Sequence, residues 1–179
     1  MLTLGVNAGP NQTRSSASSV QHPMNRAHMI AYLRAADAVA REAAVHGHHP
    51  FGAVLVGPDG GILMRQGNLD AVHHSEIELA RRAAVAYPAD FRWSCTLVST
   101  FEPCAMCAGT IYWANIGTVV YGVEEAKLLG LTGDSRENPT MSLSSRTVLG
   151  SGQKQIQVHG PFPEIEDELI APHRTFWQK

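Results

Sequence analysis

The 179-residue chain has only three cysteines, no block of lysine and arginine, and no apolar run approaching the roughly 18–20 residues of a membrane span. Each shortage excludes something. A small, odd number of cysteines is no disulfide framework, and the Cys-x-x-Cys formed by Cys104 and Cys107 favours a metal in a reducing, cytoplasmic setting. The start, MLTLGVNAGP, lacks the basic region and long apolar stretch of a secretory signal. With a formal net charge of -2 and no basic stripe, the balance points to a small substrate and away from a nucleic acid backbone. A small-molecule substrate, with no membrane and no nucleic acid partner, is the expectation. What remains is ordinary for one globular domain: 44% hydrophobic and 17% charged residues, with no internal repeat.

Residues 1–24 read as a disordered tail dominated by Asn, Gln, Ser, Gly and Pro, and residues 25–179 as the domain. Asn25 is a plausible N-cap, and Ile30, Leu33, Ala36, Ala40 and Ala43 recur at helical spacing up to Gly47. The run Phe51–Gly57 predicts a buried strand, Asp59-Gly60-Gly61 a hairpin turn, and Ile62–Gln66 the return strand. A second helix is expected over Ser75–Tyr87, closed by Pro88, and a third strand over Cys95–Thr100. Then come a helix from about Cys104 to Asn115, a strand over Gly117–Gly122, and a short helix over Glu124–Leu129. A loop over residues 130–145, a strand over Ile156–His159 and a helix over Glu164–Ala171 complete the reading. This order implies an α/β fold, a mixed sheet covered on both faces.

Two segments carry chemistry. His74-Ser75-Glu76 opens one expected helix and Pro103-Cys104-Ala105-Met106-Cys107 opens another. Residues three apart share a helix face, so Cys104 and Cys107 reach one point, and a helix N-terminus favours the thiolates that bind metal. His74 makes a three-ligand set, which leaves a position for water, whereas four protein ligands would indicate a structural zinc. Cys95, on a buried strand, reads as core, and His73 as pointing away from its neighbour. Zinc brings the pKa of bound water toward neutrality, and Glu76, two residues past the histidine, is placed to move its proton. Either segment alone is weak. In this order and spacing they match the known signature of zinc-dependent nucleobase deaminases, a match and not a deduction.

At these residues the chain resembles the cytidine and deoxycytidylate deaminase superfamily. The stretch Ser99–Ile116 and Pro50-Phe51-Gly52-Ala53-Val54 are most similar to the branch holding bacterial guanine deaminases and tRNA adenosine deaminases. The resemblance runs from about residue 26 to 135. It implies a three-layer α/β/α sandwich with a five-stranded sheet, usually a homodimer, binding Zn2+. It also implies that Phe51 lines the base pocket, that Asn68 hydrogen-bonds the ring, and that main-chain NH groups after His74 and at Cys104 help hold the reacting oxygen. The chain departs from the family's usual Asp-Pro-Thr-Ala-His-Ala-Glu, reading Asp70-Ala-Val-His-His-Ser-Glu instead.

For the substrate, the expectation is a free nucleobase or similar aminated heterocycle, guanine first and amino-s-triazines such as ammeline next. In guanine deaminases an acidic loop pairs with the base. Here Asp134, in Leu131-Thr-Gly-Asp-Ser, stands nearly at that position with Glu137 following, though an Asp there also suits a turn. Phe176 and Trp177 stand where that branch covers the ring, or they simply pack. His46, His48 and His49 read as surface or supporting residues, His49 being the one beside the Phe51 loop. Rival readings are a tRNA adenosine deaminase, a cytosine or nucleoside deaminase, and a non-catalytic zinc-binding interaction module. The last would have no use for Glu76.

Overall fold

The computed structural model describes residues 24–133 and 140–177, so nearly all of the expected tail, and Asp134 and Glu137 with it, lie outside the described residues. Its elements are α1 (Arg26–Val45), β1 (Gly52–Val56), β2 (Ile62–Gly67), α2 (Ser75–Ala86), α3 (Ala89–Trp93), β3 (Thr96–Phe101) and α4 (Ala105–Trp113). β4 (Thr118–Val123), α5 (Glu125–Thr132), α6 (Ser145–Gly150), β5 (Gln157–His159), a 3-10 turn (Pro163–Ile165) and α7 (Glu166–Phe176) follow. The sheet has five strands in the order β2-β1-β3-β4-β5. β1 is antiparallel to β2 and β3, whereas β3, β4 and β5 run parallel. It is the expected mixed α/β architecture.

Strand alternation builds the layers. Val54 and Val56 of β1, Val98 of β3 and Val120 of β4 face the core shared with α1 and α7. Ala53 and Leu55, Leu97, and Val119 face the opposite core, shared with α2, α4 and α6. Because β1 is central and covered on both faces, its sequence is a continuous apolar run and not an alternation. β2 lies at the edge and is only partly buried. Gly52 allows α1 to approach: a Cβ there would stand 2.3 Å from the Ala36 carbonyl oxygen. Asn25 caps α1, its side chain accepting from the His28 amide at 2.9 Å.

Four elements differ from the sequence reading. α3 went unread because five residues after Pro88 are too few to show a period. α6 begins where the expected loop ended, with Ser144 accepting from the Arg146 amide at 3.2 Å, and α5 continues to Thr132. α7 passes through Pro172, where the reading stopped at Ala171. Proline lacks the amide that would serve the Glu168 carbonyl four residues back. Arg41 of α1 donates to that carbonyl from Nη2 at 3.0 Å, so the broken rung is repaired from a neighbouring helix.

β3 and β4 end, and β1 begins, at the same edge of the sheet, where the Gly52 amide donates to Thr100 Oγ1 at 3.3 Å. The starts of α2, α4 and α5 gather there. At the other end lies a cavity of about 660 Å3, lined by Tyr32, Asp59, Trp93, Thr118 and Gln157 among others; it touches none of the candidate site residues.

Candidate active site

The loop before α2 is folded by Asp70. Its Oδ1 accepts from the amides of His73 at 2.7 Å and Val72 at 2.8 Å, and its Oδ2 lies 2.8 Å from His73 Nδ1. Those amides, His73's first, together with the His73 ring, hold the Asp70 carboxyl well below the usual carboxylate range. Thus His73 turns outward to Asp70, and His74, the N-cap of α2, turns inward. Cys104 is the N-cap of α4, and Cys107 lies one turn on.

His74 Nδ1 lies 3.8 Å from Cys104 Sγ and 3.4 Å from Cys107 Sγ, and the two sulfurs are 3.4 Å apart. Zinc bonds of about 2.3 Å to sulfur and 2.0 Å to nitrogen in a tetrahedron place ligand atoms about 3.5–3.8 Å apart. The cluster fits a zinc ion at three corners, and it is the only such cluster among the described residues. The hydrogen bond with Cys107 brings the Cys104 thiol down to about 4, against its burial, with His74 adding to the effect. Burial opposes charge on His74, but Cys104 and Glu76 prevail and raise it to about 9. Cys107, bonded to Cys104 and buried, is pushed well up. Any metal taking all three must displace their protons.

Glu76, only 5% exposed, is fixed twice. Ser99 Oγ donates to Oε1 at 2.8 Å and Ser75 Oγ to Oε2 at 3.0 Å. Its Oε2 lies 3.7 Å from Cys107 Sγ. Ser99 follows Leu97 by two residues, so β3 presents it to the same face, where α2 passes. Cys95 takes no part. It is buried behind, 3.3 Å from the Phe91 carbonyl, with burial pushing its thiol up to about 11.

Of the remaining expected residues, Phe51, Asn68 and Trp177 are among those described. Asn68 is buried; its Nδ2 donates to the Asp70 carbonyl at 2.9 Å, while its Oδ1 has no partner among the described residues. Phe51 meets Phe101 edge-on at 5.5 Å between centroids and His173 at 4.9 Å. Trp177 lies 6.5 Å from Phe51 and 4.9 Å from His49, its indole donating to His173 Nδ1 at 3.2 Å. The chain's own α7 therefore carries Trp177 to Phe51. The buried His173 was not singled out in the sequence; burial chiefly, with His49 beside it, lowers its pKa to about 3.

Sequence reasoning also missed two glutamates. Glu102, just ahead of Pro103-Cys104, is buried and accepts from the Ser145 amide and hydroxyl, both at 2.8 Å, and from the Glu125 amide at 3.3 Å. It ties the starts of α4, α5 and α6 together. Glu125 is 8% exposed. Burial first, then the charges of Cys104, Glu76 and Glu102, push its carboxyl up to about 8. Nothing in its sequence context distinguishes it from the neighbouring Glu124. Residues Glu102 and Glu125 line a cavity of about 260 Å3 with Tyr121, Ser142, Ser144 and Arg146.

Comparison with known proteins agrees with this geometry. Residues 27–123 match the family described as the cytidine and deoxycytidylate deaminase zinc-binding region. A probable cytosine deaminase of Schizosaccharomyces pombe is 37% identical over 152 residues, which cover 83% of this chain and 91% of that one. The guanine deaminase of Bacillus subtilis is 40% identical over 80 residues, 42% of this chain and 51% of that one. The solved guanine deaminase of Nitrosomonas europaea superposes with a TM-score of 0.60 at 18% identity, over 83% of this chain and 84% of that one, a likeness of fold. With its sequence, fold and His-Cys-Cys cluster in accord, the chain belongs to the cytidine and deoxycytidylate deaminase family, zinc-dependent hydrolases of aminated heterocycles.

Proposed function

We propose that the chain hydrolytically deaminates a free nucleobase. The observation that carries this reading is Glu76: a buried carboxylate beside the ligand cluster, held by two serine hydroxyls and left out of the ligand set. His74, Cys104 and Cys107 would hold the zinc. When bound, zinc makes water acidic enough to yield a nucleophile near neutral pH. Glu76 takes the proton of the attacking water and delivers it to the departing amine, which leaves as ammonia. The ring lies against Phe51, with Trp177 over it, and a ring N–H donates to the unpartnered Oδ1 of Asn68.

Cytosine takes first place among the rings, because the probable cytosine deaminase aligns along nearly its whole length. Guanine, first in the sequence reading, is the second. It is supported by the partial match to a guanine deaminase, while its acidic loop lies outside the described residues. A second copy of the chain covers α4, where Met106 and Trp113, seven residues apart and on one face, are exposed, Trp113 by 80%. Among the described residues no helix is long and apolar enough to cross a membrane.

The test is ammonia release by the zinc-loaded protein across cytosine, guanine, adenine, ammeline, their nucleosides and tRNA. Release from free cytosine or guanine is expected. Turnover restricted to nucleosides or tRNA, or none at all, would overturn the reading.

A further inference from the structure

His173 is an imidazole buried where a hydrocarbon would serve. It is 1% exposed and packed among rings, its centroid 4.5 Å from that of Phe101 and 4.9 Å from that of Phe51. Packing alone favours an apolar side chain there, because a buried polar atom without a partner is costly. Nδ1 of His173 accepts from the Trp177 indole at 3.2 Å. Nε2 then carries the ring proton, and among the described residues it has no hydrogen bond of good geometry, although the Pro50 carbonyl attracts it. The polar ring is thus kept at a cost on one side, and its one well-made bond is to Trp177. Trp177 is the C-cap of α7, at the end of the helix, where a backbone ordinarily frays. A sheltered indole N–H seeks an acceptor, and four residues back on the same helix face His173 supplies one. With the indole so held, its centroid lies 6.5 Å from that of Phe51. Phe51 is fixed from its other side, because its carbonyl accepts from the Asn68 amide at 3.0 Å.

We infer that His173 is a positioning residue, which locks the Trp177 indole beside Phe51 so that the aromatic wall of the ring site is set before a ring arrives. The inference rests on the reading of Phe51 and Trp177 as that wall. His173 touches no reacting atom and moves no proton in the reaction. Its contribution is preorganisation: an indole already fixed gives up no side-chain freedom when a ring settles on it. The lock therefore acts on ring affinity and leaves the chemical step to Glu76. It acts within one chain, since α7 carries both His173 and the C-cap Trp177. A face of Phe51 and an indole suit any flat aminated ring, so the lock does not depend on which one is used.

The test uses the zinc-loaded full chain. It compares His173→Phe, which keeps a ring and removes the acceptor, with His173→Gln, which restores an acceptor. In NMR the Trp177 indole N–H, identified by its loss in Trp177→Phe, should lie downfield and exchange slowly. In His173→Phe it should move upfield and exchange faster, and His173→Gln should recover part of both. Cytosine and guanine are then titrated calorimetrically into Glu76→Gln protein. Adding His173→Phe should weaken the tighter of the two by about three- to tenfold, the worth of one hydrogen bond. In the active protein KM should rise by the same factor while kcat stays within about twofold. The loss should vanish when His173→Phe is made in Trp177→Phe protein, because the bond it removes is already gone. An unmoved indole resonance, an unchanged affinity, a fall in kcat alone, an equal loss without the Trp177 indole, or binding of neither ring would overturn the inference. If His173→Phe does not fold, the wild-type resonance and His173→Gln decide, and a freely exchanging indole proton overturns it. The two readings fail separately. If ammonia is released but affinity ignores His173, only the lock falls. If no ammonia is released but a ring binds and the coupling to Trp177 is seen, the reaction falls and the lock stands.

Discussion

Ser99 Oγ, on β3, donates to Glu76 Oε1, on α2, across 2.8 Å, so the sheet itself aims the carboxylate. Glu76→Gln should keep the fold and the metal and lose about 10²–10⁴ in turnover, the usual worth of a general acid/base. Ser99→Ala should cost less, because Ser75 still donates to the other oxygen. Leaving one buried carboxylate oxygen unserved should lower stability by about 1–3 kcal/mol. Steady-state kinetics and thermal melts read both, and near-wild-type turnover by Glu76→Gln would end the mechanism.

The three-ligand cluster predicts about one zinc per chain by elemental analysis. Replacing both Cys104 and Cys107 by serine should abolish retention, and stripping zinc with a chelator should lower the melting temperature. Full zinc content in the double variant would remove the cluster as the site.

His173 gives a pH dependence whose sign is fixed. It is depressed from about 6.5 to about 3 in the folded chain, by burial first. In that window the unfolded chain binds the extra proton, so stability is present above about pH 6.5 and drains as pH falls toward 3, at up to about 1.4 kcal/mol per unit. The variant His173→Gln should flatten the acid side of the stability curve. Parallel acid slopes for the two proteins would refute the assignment.

Trp113, 80% exposed on α4, predicts that Trp113→Glu converts a dimer to a monomer in sedimentation. A wild-type monomer at micromolar concentration would remove the interface.

The sequence made the chemistry more legible than the space around it. His74, Cys104 and Cys107 stand out because metal ligands must be of particular types at particular spacings, and the buried runs of β1, β3 and β4 stand out because a covered sheet must be apolar. α3 and α6 did not, since five or six residues show no period. α7 was cut short at Pro172 because proline ordinarily ends helices, and the Arg41 contact that spares it spans 127 residues of sequence. Glu102 and Glu125 were invisible for the same reason. Glu102 stands beside the Pro103-Cys104 motif but outside its ligand pattern, Glu125 has unremarkable neighbours, and only the convergence of three helix starts ties Glu102 to the Glu125 amide and to Ser145.

The separation of the ligands also sets an order of assembly. Cys104 and Cys107 are neighbours in any conformation, but His74 lies 30 residues before Cys104 and joins them only when α2 and α4 have settled on the same face of the sheet. An unfolded chain therefore offers a metal two thiols at best, and the complete grip exists only on a nearly finished fold. Zinc would lock this protein late, consolidating a core already built and not nucleating it.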